Sequence, residues 1–348
     1  MPVSLLLRRL VFAATLLPLL ACLIPSDAAA CGGFFLRPAL EGERRPSLSY
    51  EQTLILFDEG KHREHFIRDV TFNAAGETFG FVVPTPSRPQ VDKVKKSPFA
   101  ALRRSFPFRR RPMPSGAGFG SGKGRGIGLG GGGVTVLEQK KVGSFTAFVL
   151  AATDEKALSA WLAKNKLVST PEADTWLAHY VKMKFFYVAL RYDGDKKGAA
   201  APDIRAETMR ISFDAPVPYY PYFEPSQPKG VSQSDSRMLE LWVASAHAAV
   251  PVAAKREGER VTWVKPMAEG DQHLNARESL ALALGDEKKW LPEGDLRVQT
   301  FIDQKRSREG YGDVLFVARD KRELDAATLD QLKALLPILD PSLVGGGE

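Results

Sequence analysis

Apolar and polar positions divide the chain into short strand-like runs with a few helical stretches between them. Thr53 to Phe57 is a strand-length apolar run, and Asp58-Glu59-Gly60 follows it as a turn. His65 to Phe72 and Phe79 to Val83 predict two more strands, separated by a turn over Asn73 to Glu77. Pro84, Pro86 and Pro89 are expected to end this sheet pattern, because proline donates no hydrogen bond to a ladder. Three strands cannot bury enough surface to stand alone, so they need partners from later in the chain.

Order is expected to resume at Val134, with strands over Val134 to Leu137 and Phe145 to Leu150. Thr153 is read as the cap of a helix whose first turn holds Asp154 and Glu155 and whose inner face is Leu158, Trp161 and Leu162. Thr170-Pro171-Glu172 opens a second helix with a cap and a proline in its first turn. Ala173, Trp176, Leu177, Tyr180 and Val181 then fall on one face. Phe185 to Leu190 predicts a strand, as do Thr208 to Phe213, Leu239 to Ala244, Val261 to Val264, Leu296 to Phe301 and Val314 to Ala318. A last helix is expected from Ala326 to Leu336, stopped by Pro337. Strands outnumber helices and do not alternate with them. The pattern predicts an α+β fold, with mixed or mainly antiparallel sheets and a few packed amphipathic helices.

Composition changes this picture at two places. The first is the start. Arg8 and Arg9 precede an apolar stretch from Leu10 to Ile24, and Ala28-Ala29-Ala30 supplies the small residues of a cleavage site. Residues 1–30 are read as an export signal, too short in its apolar part for a membrane span, and no later stretch approaches one. The chain has 2 cysteines, Cys22 and Cys31. Cleavage after Ala30 would leave Cys31 alone, with no internal disulfide. Leu19-Leu20-Ala21-Cys22 also resembles a lipoprotein box, and Ala28-Ala29-Ala30-Cys31 a poorer one, so cleavage after Ala30, lipidation at Cys22 and lipidation at Cys31 stay open.

The second place is the middle. Lys93, Lys95, Lys96, Arg103, Arg104, Arg109, Arg110, Arg111, Lys123 and Arg125 lie in one stretch that holds no Asp or Glu. They supply more than the whole formal net charge of +7, leaving the rest of the chain slightly acidic. Phe99 to Phe106 within it predicts a short helical turn, and glycine dominates from Gly116 to Gly133. Such a stretch has few side chains to bury and much entropy to lose. The organisation read from this is an export signal (1–30), N-terminal strands of the main domain (31–92) and a basic Gly-rich disordered insertion (93–133). The rest of the α+β region follows (134–340, with room for two subdomains), then a flexible tail (341–348).

Cys31-Gly32-Gly33-Phe34-Phe35 directly after a signal resembles the opening of the bacterial family called domain of unknown function 2330. Phe81-Val82-Val83-Pro84-Thr85-Pro86, Val142-Gly143-Ser144-Phe145 and Ala152-Thr153-Asp154 with Trp161-Leu162 are similar to it as well. The resemblance implies an exported bacterial protein with no assigned activity. Leu36 stands where that family often carries a second cysteine.

Sites of known chemistry are sparse. Gly118 to Gly126 looks like a phosphate loop, but Ala117 and Gly124 occupy the positions that would need glycine and Ser or Thr. His62 and His65 would point to opposite faces of a strand, and no third ligand has the right spacing. Asp193-Gly194-Asp195 lacks the third oxygen ligand of a calcium loop. The run Tyr219-Tyr220-Pro221-Tyr222-Phe223 is read as a strand end whose rings cover the core edge. No metal and no cofactor are expected.

The reading is a non-catalytic, exported protein of the periplasm or cell envelope. Its ten-cation stretch would contact anionic lipid, lipopolysaccharide or polysaccharide, and nucleic acid is not the expected partner. The alternative is an enzyme using Cys31 as an N-terminal nucleophile.

Overall fold

The computed structural model describes residues 33–36, 47–73, 79–108, 134–167, 169–192, 203–226, 237–258, 260–305, 308 and 310–319. The expected export signal, Cys22, Cys31, the glycine-rich stretch, Asp193 to Asp195, the expected last helix and the expected tail lie outside the described residues. The described chain is α+β, as the pattern predicted.

Three sheets form it. The first has the order β1 (Gly33–Leu36), β4 (Phe79–Thr85), β8 (Phe186–Tyr192), β7 (Phe145–Ala152), β6 (Val134–Val142), all antiparallel. The second runs β15 (Ala268–His273), β16 (Arg297–Asp303), β12 (Met238–Ser245), β2 (Ser47–Asp58), β3 (Arg63–Asn73), β10 (Met209–Asp214), β5 (Gln90–Lys93), and the short β9 (Asp203–Arg205) also pairs with β3. Its one parallel pair is β12 with β2. The third has the order β11 (Tyr219–Tyr220), β17 (Val314–Ala318), β13 (Ala249–Glu257), β14 (Arg260–Val264).

The second sheet is covered on both faces, and this explains why β2 reads as an unbroken apolar run rather than an alternating one. Ile55 and Phe57 join the larger core. Leu54 and Leu56 join a smaller core under two helices, α1 (Phe99–Ser105) and α4 (Arg277–Leu284). Between the first two sheets, Phe72 of β3 meets Phe79 at 4.9 Å, Phe81 at 5.5 Å and Phe145 at 6.2 Å. Two further helices, α2 (Glu155–Lys164) and α3 (Pro171–Lys182), bury Leu158, Trp161, Leu162, Trp176, Leu177 and Tyr180 in the larger core.

Several expectations need correction. The prolines do not end the sheet pattern. Pro84 lies inside β4, at a point where β1, paired only with residues 79–82, no longer flanks it. After Pro89 the chain re-enters the second sheet as β5. The cap of α2 is Asp154, not Thr153: the Asp154 carboxylate accepts the Ala157 N–H at 2.7 Å. Thr170 caps α3 as expected, accepting from Ala173 N–H at 3.2 Å. The short or mixed strands β1, β5, β9, β11, β13 and β15 and the helix α4 carry too weak a periodicity to be read from sequence.

Candidate functional site

The described root of the basic stretch is β5 and α1. Val91 and Val94 are buried, Lys93 at the end of β5 is exposed, and Val94 N–H bonds to Thr208 C=O at 2.9 Å. Lys95 and Lys96 follow, exposed. In α1, Phe99, Leu102 and the adjoining Phe106 are buried, which leaves Arg103 and Arg104 on the open side. Two cations in the last turn suit the negative end of the helix dipole. Trp242 of β12 anchors the helix: its ring lies 5.7 Å from Phe99, and its indole N–H donates to Phe106 C=O at 3.0 Å.

Arg103 does not belong with the free cations. Its guanidinium donates to Glu240 at 2.6 Å and contacts the Tyr50 hydroxyl, while Gln52 donates to the same Glu240 oxygen at 3.3 Å. Burial, and then the Glu240 charge, push the Tyr50 phenol upward, so it stays a donor. Beside this group, Arg205 holds Asp69 through two bonds of 2.9 and 2.6 Å, and Ser97 and Thr208 each reach Asp69 at 3.3 Å. These contacts fasten the segment from Ser97 to Phe106 onto the sheet.

The remaining predicted cations sort as follows. Lys93 is half exposed and 3.9 Å from Glu207. Lys95, Lys96 and Arg104 are exposed, and no carboxylate among the described residues lies within ion-pair distance of them. Arg109, Arg110, Arg111, Lys123 and Arg125 lie outside the described residues. One cation that sequence reasoning missed belongs beside them: Lys140 of β6 donates to Val91 C=O at 3.1 Å and pairs with Asp92. It brings the strand that follows the basic stretch against the strand that precedes it. Nothing in the local sequence signals this, because 48 residues separate the pair.

His65 lies on the same face of the second sheet. Its Nδ1 is 2.7 Å from the Ser212 hydroxyl, and the Arg210 guanidinium covers Trp290 at 4.3 Å. Burial first, and then Arg210 and Arg63, push His65 down to about 4, so the ring is neutral. Ser212 is fully buried, which makes the pair a structural hydrogen bond rather than an accessible nucleophile and base. His62 falls in the β2–β3 turn with φ of 47°, and no group of three metal-ligating side chains occurs among the described residues.

A family model described as "Uncharacterized protein conserved in bacteria (DUF2330)" matches residues 25–271. The chain belongs to this family. The stretches that pointed to DUF2330 each have a definite structural task. Phe35 of β1, a strand of the first sheet, is buried in the larger core. Phe81 to Thr85 lies in the buried β4. Gly143 and Ser144 make the β6–β7 turn: Gly143 has φ of 60°, and Ser144 gives both its N–H and its hydroxyl to Glu207 at 2.9 Å. No curated protein matches the chain. Among solved structures the chain is similar to the crystal structure of baculovirus P35, at 8% identity and a TM-score of 0.33, over 78% of this chain and 91% of that one. Among the described residues no helix is long and apolar enough to cross a membrane.

Proposed function

We propose that this DUF2330 protein is an exported, non-catalytic protein of the bacterial cell envelope that docks on anionic groups through its basic stretch. Phosphates or carboxylates of lipid, lipopolysaccharide or polysaccharide would be the targets. The observation that carries the reading is the set of ten cations from Lys93 to Arg125 with no acidic residue among them. At their described root, Lys95, Lys96 and Arg104 face solvent on a segment fastened by Trp242, Glu240 and Asp69. A rigid root presents these charges without first having to order them. Each cation near an anionic surface contributes on the order of 1 kcal/mol, so about half of the ten suffices to hold a protein there. Within this reading, residues 93–133 are an insertion in one α+β region, and residues 1–30 direct export.

The test is retention on anionic vesicles at low salt. The full chain should be retained. A chain lacking residues 109–133 and carrying Lys95→Glu, Lys96→Glu and Arg104→Glu should not be. Equal retention of both chains would remove the basic stretch as the contact. The intact mass of the protein from its host reads the export step, since a start at Cys31 and a lipid-sized addition are separable.

A further inference from the structure

Two buried carboxylates lack what a buried carboxylate ordinarily has. Asp313, immediately before β17, is fully buried and accepts hydrogen bonds from the Tyr219 hydroxyl at 2.7 Å, from the Tyr180 hydroxyl at 2.9 Å and from Phe223 N–H at 2.9 Å. Glu64 of β3 is also fully buried. It accepts from Tyr219 N–H at 2.7 Å, and its other oxygen has no partner. Tyr219 is thus held at both ends, by its amide on Glu64 and by its hydroxyl on Asp313. Among the described residues neither carboxylate has a cation within ion-pair distance.

Tyrosine hydroxyls and backbone N–H groups face them from several elements. From α3 come Tyr180 and, edge-on to it at 5.1 Å, His179. The Tyr187 hydroxyl of β8 is buried with no hydrogen-bond partner. From the chain after β11 come the N–H groups of Tyr222 and Phe223. The nearby cation Arg308 is committed elsewhere, to Asp303 at 3.0 Å and Glu224 at 3.7 Å. Asp303 shows the contrast. Burial raises it too, but Arg308 and its hydrogen bonds outweigh that and hold it below the usual carboxylate range.

We propose that Glu64 and Asp313, bracketing Tyr219, form a proton-dependent lock that fastens β17 and β11 to the core and loosens as pH rises. Burial pushes Asp313 up to about 6 despite its donors, and pushes Glu64 well above its ordinary value. The sign follows from proton counting. The unfolded chain releases these protons near pH 4, where ordinary carboxyls titrate. The folded chain keeps them to higher pH, so it binds more protons in between and its stability falls as pH rises. For Asp313 the fall runs from about 4 to about 6, and Glu64, raised by burial, adds a fall of the same sign. His65 acts in the opposite sense, being neutral in the fold and charged in the unfolded chain at low pH. A difference between variants therefore reads the lock more cleanly than the total curve does.

The experiment is amide hydrogen exchange on the full chain, expressed as protection factors, with thermal midpoints, at pH 5 and pH 7.5. Wild type should lose at least tenfold in protection over Val314 to Phe316 and at Tyr219 between these conditions. Glu64→Gln with Asp313→Asn keeps the shape and removes the titration, and should flatten that difference. An equal pH dependence in the double variant overturns the proposal. Carbon-13 carboxyl shifts in wild-type protein give an independent reading should the variant fail to fold. Two buried carboxyls ionising above pH 5.5 support the lock, and none doing so overturns it.

Discussion

Gly143 shows how one residue can fix a connection. Its φ of 60° already favours glycine, and a Cβ there would fall 1.8 Å from the Glu207 carboxyl carbon. Gly143→Ala is expected to cost about 1–3 kcal/mol, read as a lower urea midpoint, and an unchanged midpoint would remove this turn as a lock. Arg103 makes a different point. Its charge is shared with Glu240 and Tyr50, so Arg103→Ala should lower stability while leaving retention on anionic vesicles nearly unchanged. Arg104→Ala, on the open side of the same turn, should do the reverse. Similar effects of the two substitutions on vesicle retention would mean that the guanidinium of Arg103 leaves Glu240 when the surface is met.

At the scale of an element, α1 is the informative one. It has only seven residues and no side-chain cap, so its own propensity cannot hold it. Tertiary contacts do so: Leu102 is fully buried and Trp242 bonds to the carbonyl that ends the helix. Leu102→Ala is expected to cost about 2–5 kcal/mol and to change the Trp242 fluorescence. Deleting residues 109–133, which leaves these contacts in place, should leave the thermal midpoint almost unmoved. A deletion that unfolds the protein would show that the stretch belongs to the core. The start of α2 gives a second check at this scale. Asp154→Ala should cost about 1 kcal/mol, and Thr153→Ala should cost almost nothing, because the carboxylate of Asp154 is the acceptor.

For the molecule as a whole, the separation of charge from core is what matters. If exposed cations do the docking, retention on anionic vesicles should fall steadily as salt passes about 0.1–0.2 M, while thermal stability changes little. Retention that survives high salt would point to apolar insertion instead. Much of this was legible in the chain. The strands β2, β3, β4, β7, β8, β12, β16 and β17 and the helices α2 and α3 each carry enough periodic apolar residues to identify themselves. The uneven charge and the buried aromatic run at Tyr219 to Tyr222 were legible for the same reason: composition and periodicity are local properties. Pairing is not local. That Pro84 could lie in a strand depended on how far β1 extends beside it. That Arg103 is bound while Arg104 is free depended on Glu240, 137 residues away. That two carboxylates bracket Tyr219 depended on where the sheets close. The sequence by itself determined which segments are apolar enough to become elements and where the excess charge lies. Only the tertiary structure decided which polar groups meet, because those contacts join positions that share no neighbourhood along the chain and gain their strength from burial that the rest of the fold supplies.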